Sequence, residues 1–124
     1  MSNKTIKALI FDLDGTAIPN RQDGVPSKKT IDAVEKAKKK ISVSVATARP
    51  YSSCKTILDA FQINEPCILN GGAQLYNPAT GKDIWKQYLD EGKINEIVST
   101  IREFDTDSYD IIDDYFDRRF KLNV

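Results

Sequence analysis

The chain has 124 residues, enough for one domain with a modest core but short for two complete ones. Hydrophobic residues at 40% and charged residues at 29% describe a folded globular chain and argue against disorder or a membrane span. Eighteen basic and eighteen acidic residues cancel, so no overall field draws the chain to nucleic acid or to an anionic membrane.

The first element is the apolar run Ile6-Lys7-Ala8-Leu9-Ile10-Phe11, which ends on Asp12-Leu13-Asp14-Gly15-Thr16. It predicts a strand buried on both faces, as inside a parallel sheet. Its acids and its shortness do not fit a signal peptide, and a cytoplasmic location is the expectation. Ser27 is placed to cap a helix carrying Ile31, Val34 and Ala37 at helical spacing, with Lys36, Lys38, Lys39 and Lys40 suiting its C-terminus. Residues 41–46 form a short β-branched strand leading into Thr47-Ala48-Arg49-Pro50, and Ser52 is the expected cap of a second helix with Ile57, Leu58 and Phe61. A third strand, Cys67-Ile68-Leu69, ends at Asn70. This alternation predicts an open parallel sheet with right-handed crossovers.

Beyond it the pattern changes. Residues 73–76 and 84–88, around Asn77-Pro78-Ala79-Thr80-Gly81, predict an antiparallel hairpin. Ile94, Ile97, Val98, Ile101 and Phe104 then make one apolar helical stripe. Two further strands are expected at 109–112 and 115–122, around Asp113-Asp114. Two cysteines, Cys54 and Cys67, and no histidine leave zinc sites and Cys-His or Ser-His catalysis unsupported.

In open α/β sheets the ligand lies outside the carboxyl ends of the strands. All three apolar strands end there in polar groups: Asp12 and Asp14, Thr47 and Arg49, and Asn70. Each alone reads as an ordinary loop residue; their shared position points to a site. Asp12 and Asp14, one residue apart, can face one centre and hold a hard divalent cation such as Mg²⁺. Gly15 permits the tight turn. One carboxylate could attack phosphorus while the other serves as acid and base. An Asx-type turn explains a D-x-D alone, without its hydrophobic approach and its Gly-Thr exit.

The string Ala8-Leu9-Ile10-Phe11-Asp12-Leu13-Asp14-Gly15-Thr16 resembles the first motif of the haloacid dehalogenase superfamily, hhhDxDGT. Val43–Ala46 with Thr47 resembles the second. Thr47-Ala48-Arg49-Pro50-Tyr51 is similar to the T-G-R-P-Y segment of the Cof-type subgroup, with Ala48 in place of Gly, and Ile68-Leu69-Asn70-Gly71-Gly72-Ala73 to its N-G-A segment. The resemblance implies a fold and a chemistry. The fold would be α/β, a partial Rossmann-like parallel sheet in residues 1–81 followed by the beginning of an α/β cap in residues 82–124. Asp12 would be the nucleophile and a Mg²⁺ ligand. Asp14 would be the general acid/base and would offer its backbone carbonyl to the metal. Gly15, Thr16, Thr47, Arg49 and Asn70 would face the phosphate or substrate, a small phosphorylated metabolite.

The resemblance also implies groups that are not found in a convincing context: a third-motif Lys and a fourth-motif acidic pair. Lys82, Lys86 and Lys93 read as surface lysines, and Asp113-Asp114 as turn acids. The chain therefore reads as the N-terminal portion of a phosphomonoester hydrolase. Its exposed sheet edge would be covered by a missing C-terminal half or by a second copy of the chain. A non-catalytic phosphate-binding remnant and a phosphomannomutase-like phosphotransferase are the alternatives. A receiver-type phospho-acceptor is a weaker one.

Overall fold

A computed structural model describes residues 5–19, 24–103, 110–113 and 118–121. The chain forms two compact units, residues 1–86 and 87–124.

In the first unit, β1 (Ala8–Phe11) lies parallel to β2 (Ser42–Val45), with Leu9 opposite Val43 and Phe11 opposite Val45. β3 (Cys67–Leu69) joins the far side of β2 through a parallel bridge between Ala46 and Ile68, and the Thr47 N–H donates to the Ile68 carbonyl at 2.9 Å. The expected parallel run is thus present, and all three strands end at one edge. The sheet then reverses. β4 (Gln74–Asn77) pairs antiparallel with β3, and β5 (Lys82–Lys86) pairs antiparallel with β4 across the Asn77–Gly81 turn.

α1 (Lys28–Lys38) starts at Ser27, whose Oγ accepts from the Thr30 N–H at 3.1 Å, satisfying one of the donors that a helix start leaves unpaired. α2 (Tyr51–Phe61) begins two residues earlier than expected. Pro50, not Ser52, stands at its N-cap, with no side-chain cap, and Ser52 lies inside the first turn. Proline's fixed φ, here −67°, suits this entry. Val43, Val45, Cys54, Leu58, Phe61 and Leu69 pack as the centre of the core, and the Phe11 ring meets Phe61 edge-on at 5.7 Å.

β1 corrects the expectation of a strand buried on both faces: Leu9 is 41% and Ile10 56% exposed. Among the described residues only β2 pairs with it, so one edge and part of its surface have no cover.

In the second unit, α3 (Glu91–Glu103) carries the predicted stripe, with Ile94 and Val98 half-buried and Ile97 exposed. Phe104, assigned to the same stripe, lies outside the described residues. β6 (Asp110–Asp113) and β7 (Arg118–Lys121) pair antiparallel, with Asp113 opposite Arg118. The hairpin is as expected, but Asp113, expected in its turn, is the last paired residue of β6; Asp114 lies outside the described residues. No described helix is long and apolar enough to cross a membrane.

Candidate active site

The loop after β1 is built on Leu13. Its side chain is fully buried, and its carbonyl accepts N–H groups from Thr16, Ala17 and Ile18 at 2.9–3.2 Å. Closing the turn in so few residues drives Gly15 to φ 71°, where a Cβ is strained. Because Leu13 is anchored inward, its neighbours Asp12 and Asp14 are held at the carboxyl end of β1. Asp12 and Thr16 are exposed, and Asp14 is half-buried.

The loops after β2 and β3 are stitched together by backbone hydrogen bonds. The Asn70 N–H donates to the Arg49 carbonyl at 3.1 Å, and the Gly71 N–H to the Thr47 carbonyl at 3.2 Å. Asn70 accepts a left-handed φ of 53° to do so, a conformation its short amide side chain tolerates better than most. Thr47 is 5% exposed, and its Oγ1 accepts from the Arg49 N–H at 3.2 Å, which leaves the hydroxyl proton to donate elsewhere.

Arg49 crosses from the second loop to the first. Its Nε donates to Asp14 Oδ2 at 2.8 Å, its Nη2 to Asp14 Oδ1 at 2.6 Å, and its Nη1 to the Ser53 carbonyl at 3.2 Å. These hydrogen bonds, opposed by partial burial and aided by the cation's charge, hold the Asp14 carboxyl below its ordinary range. The guanidinium pKa rises in return, chiefly through the same hydrogen bonds. The Asp12 carboxylate, by contrast, has no hydrogen-bond or ion-pair partner among the described residues.

Sequence position alone assigned Asp12, Asp14, Thr47, Arg49 and Asn70 to one edge. The structure joins Asp14, Thr47, Arg49 and Asn70 in one hydrogen-bonded assembly, with Asp12 at its start and Gly15 and Thr16 in the turn beyond. Gln74 and Asp83 escaped that reading. Asn70 Nδ2 donates to Gln74 Oε1 at 3.1 Å, and Gln74 Nε2 donates to Asp83 Oδ1 at 2.8 Å. A signal for Gln74 did exist: it lies two residues before Tyr76 on a strand, and the face that buries the ring buries the amide too.

Lys7, Lys38, Lys39 and Lys40 surround a cavity at the amino ends of β1 and β2, the far end of the sheet from Asp12. A second cavity, of about 390 Å³, flanks Arg49 and is walled by Val25, Pro26, Ile31 and Ile57. The two cysteines are buried as free thiols, and burial pushes the Cys67 pKa up, so neither suits catalysis.

The donor set at the edge comprises an unengaged carboxylate, a second carboxylate already bound to a guanidinium, and backbone carbonyls. Among the described residues no group of three or more His, Cys, Asp or Glu is placed to hold a metal. Mg²⁺ is commonly held through one or two carboxylates, with water and substrate phosphate supplying the rest, and Asp12 with the Asp14 carbonyl fits that habit.

The family profile of haloacid dehalogenase-like hydrolases matches residues 9–116, which covers both loops and the hairpin. The chain belongs to the haloacid dehalogenase-like hydrolase family. Relatives of this family share both sequence and fold with it. A Mycoplasma genitalium protein named as a candidate phosphatase is 29% identical over 105 residues, 84% of this chain and 37% of that protein. A phosphatase of the haloacid dehalogenase superfamily from Bacteroides thetaiotaomicron is 28% identical with a TM-score of 0.69, over 84% of this chain and 38% of the other. A Thermotoga maritima protein is 26% identical with a TM-score of 0.68, over 89% and 40%. The chain thus spans under half the length of the haloacid dehalogenase-like proteins it matches.

Proposed function

We propose that the chain carries the nucleophile loop of a Mg²⁺-dependent phosphomonoester hydrolase acting on small phosphorylated metabolites. The observation that carries this reading is the contrast within one loop. Asp12 is exposed and unengaged at the end of β1, while Asp14, two residues on, is held by Arg49. An unengaged carboxylate is a nucleophile; a positioned one is a proton carrier.

Asp12 Oδ attacks phosphorus, the Asp12–phosphorus bond forms, and the bond from phosphorus to the ester oxygen breaks. Asp14 gives its proton to that oxygen. Asp14 then takes a proton from water, whose oxygen attacks the aspartyl-phosphate and frees phosphate and Asp12. Before the first step Asp14 must be protonated, and Arg49 opposes this, so the fork must loosen when substrate arrives. Thr47 donates its hydroxyl proton to a phosphoryl oxygen. Asp12 and the Asp14 backbone carbonyl would hold Mg²⁺, which when bound supplies positive charge against the phosphoryl oxygens.

A second reading rests on the donor count: with fewer than three acidic groups gathered among the described residues, the chain alone would bind phosphate without turnover. We also propose that the open edge of β1 is covered in the working protein, by the C-terminal half that longer relatives contain or by a second copy. The test is hydrolysis of an aryl phosphate with Mg²⁺ by the chain and by Asp12→Asn, alongside phosphate binding by calorimetry. Turnover that vanishes in Asp12→Asn supports the hydrolase; turnover that survives removes Asp12 from its role. Phosphate binding without turnover favours the binding reading.

A further inference from the structure

The cavity of about 390 Å³ beside Arg49 lies at the small end of the roughly 300–1,000 Å³ that ligand pockets occupy. Its origin is legible in α2. Ser53, Thr56, Ile57 and Ala60 line it at helical spacing, and three of these four side chains are short. Longer apolar side chains at those positions would fill the space between α2, Ile31 of α1 and the segment that precedes α1.

The chemistry of the wall selects the occupant. Ile57 is buried in the core while Val25 is 62% exposed, so apolar surface runs from the interior out to solvent. Ser53 and Thr56 add hydroxyls, which can donate or accept. Arg49 is the one charged residue among the described lining residues, and Asp14 already meets its charge at 2.8 and 2.6 Å. An anion in the cavity would have to part that pair, and a cation would face the guanidinium. An uncharged, mostly apolar molecule with a hydroxyl group meets neither obstacle.

Arg49 also ties the cavity to the candidate site. Its Nη1 donates to the carbonyl of Ser53 at 3.2 Å, so the guanidinium that grips Asp14 reaches the cavity wall. For the grip to open, the guanidinium must move, and the cavity is the space beside it that close packing leaves. We propose that the cavity is a ligand site for a small uncharged molecule with an apolar body and a hydroxyl group, and that its occupant holds the Arg49–Asp14 pair closed. Under the proposed function, on which only this consequence rests, the occupant keeps Asp14 ionised and slows the first step.

The experiment is NMR on the chain, with benzyl alcohol, toluene and benzoate as probes. Benzyl alcohol should shift the amide resonances of Ser53, Thr56 and Ala60. It should bind several-fold tighter than toluene, which lacks the hydroxyl, and roughly tenfold tighter than benzoate, whose charge must compete with Asp14. Thr56→Leu and Ala60→Leu fill the cavity and should each abolish the shifts; Thr56 is exposed, so that variant keeps the fold. The Arg49 Nε proton reports on the pair, because it exchanges with water when its bond to Asp14 opens. At about ten times the measured Kd, benzyl alcohol should slow that exchange about tenfold, the factor by which a ligand of the closed state alone suppresses opening. No binding of benzyl alcohol, equal binding of toluene or benzoate, or shifts that both filled variants retain would overturn the site. Binding with unchanged exchange would overturn the hold on Asp14. An absence of aryl phosphate turnover counts against the proposed function alone, since none of these measurements needs it.

Discussion

Arg49 grips Asp14 from 35 positions along the chain, through two parallel N–H···O bonds of 2.8 and 2.6 Å. A planar guanidinium meeting a carboxylate along both oxygens fixes direction as well as distance. The pair ties the loop after β1 to the loop after β2, with side chains only 14% exposed for Arg49 and 31% for Asp14. It also sets the protonation problem that the proposed chemistry must solve.

The pair should make stability acid-sensitive. Asp14 titrates below its ordinary value of 3.8 when folded, so its contribution is complete above that value and is lost as pH falls through the lower folded value. Arg49→Gln should remove this acid-linked component. It should cost about 1 kcal/mol at neutral pH, a modest figure because water still reaches the pair. Urea unfolding of both proteins between neutral pH and the acid limb checks this. Parallel profiles would show that the pair is not coupled to folding.

Leu13 should matter more to stability than either neighbouring acid. Fully buried, it holds the turn that presents Asp12 and Asp14. Leu13→Ala should cost about 2–5 kcal/mol through lost burial and the cavity left behind. Denaturant unfolding reads the loss directly, and a cost below about 1 kcal/mol would show that the loop repacks without its anchor.

The parallel strands and the polar edge were legible in sequence because both follow from short-range patterns. Ala8–Phe11 and Cys67–Leu69 are apolar runs and Val43–Ala46 is broken only by Ser44; all three are too short for helices, and each stops at a polar group. What was not legible depends on pairing between distant segments. That Arg49 turns to Asp14, that Pro50 replaces Ser52 at the helix start, and that a bulge brings Asp83 to Gln74 are all outcomes of three-dimensional approach. The exposure of Leu9 and Ile10 escaped for a related reason, since an apolar run reports what a strand prefers to contact and not which neighbours it has.

Gly15 should resist substitution for conformational reasons alone. At φ 71°, an alanine pays about 1–2 kcal/mol against the left-handed region. Gly15→Ala should therefore lower the thermal midpoint, while Gly15→Asn should lower it less, because asparagine enters this region more readily. Equal midpoints for the two variants would show that crowding around the turn, and not φ, sets the cost.

Thr47 separates packing from hydrogen bonding. It is 5% exposed and its Oγ1 accepts from the Arg49 N–H; under the proposed function its hydroxyl proton would donate to a phosphoryl oxygen. Thr47→Val keeps the shape and removes both bonds, including the one the half-buried Arg49 N–H makes to Oγ1. Thr47→Ser keeps the hydroxyl and loses a methyl group. Phosphate affinity, measured by calorimetry with Mg²⁺ present, should fall about 10- to 100-fold in Thr47→Val, the equivalent of about 1.5–3 kcal/mol for a hydrogen bond to a charged group. In Thr47→Ser it should fall less than tenfold. If the two variants bind alike, Thr47 acts by filling space between the strands, and the phosphoryl oxygen finds its donor elsewhere on the edge.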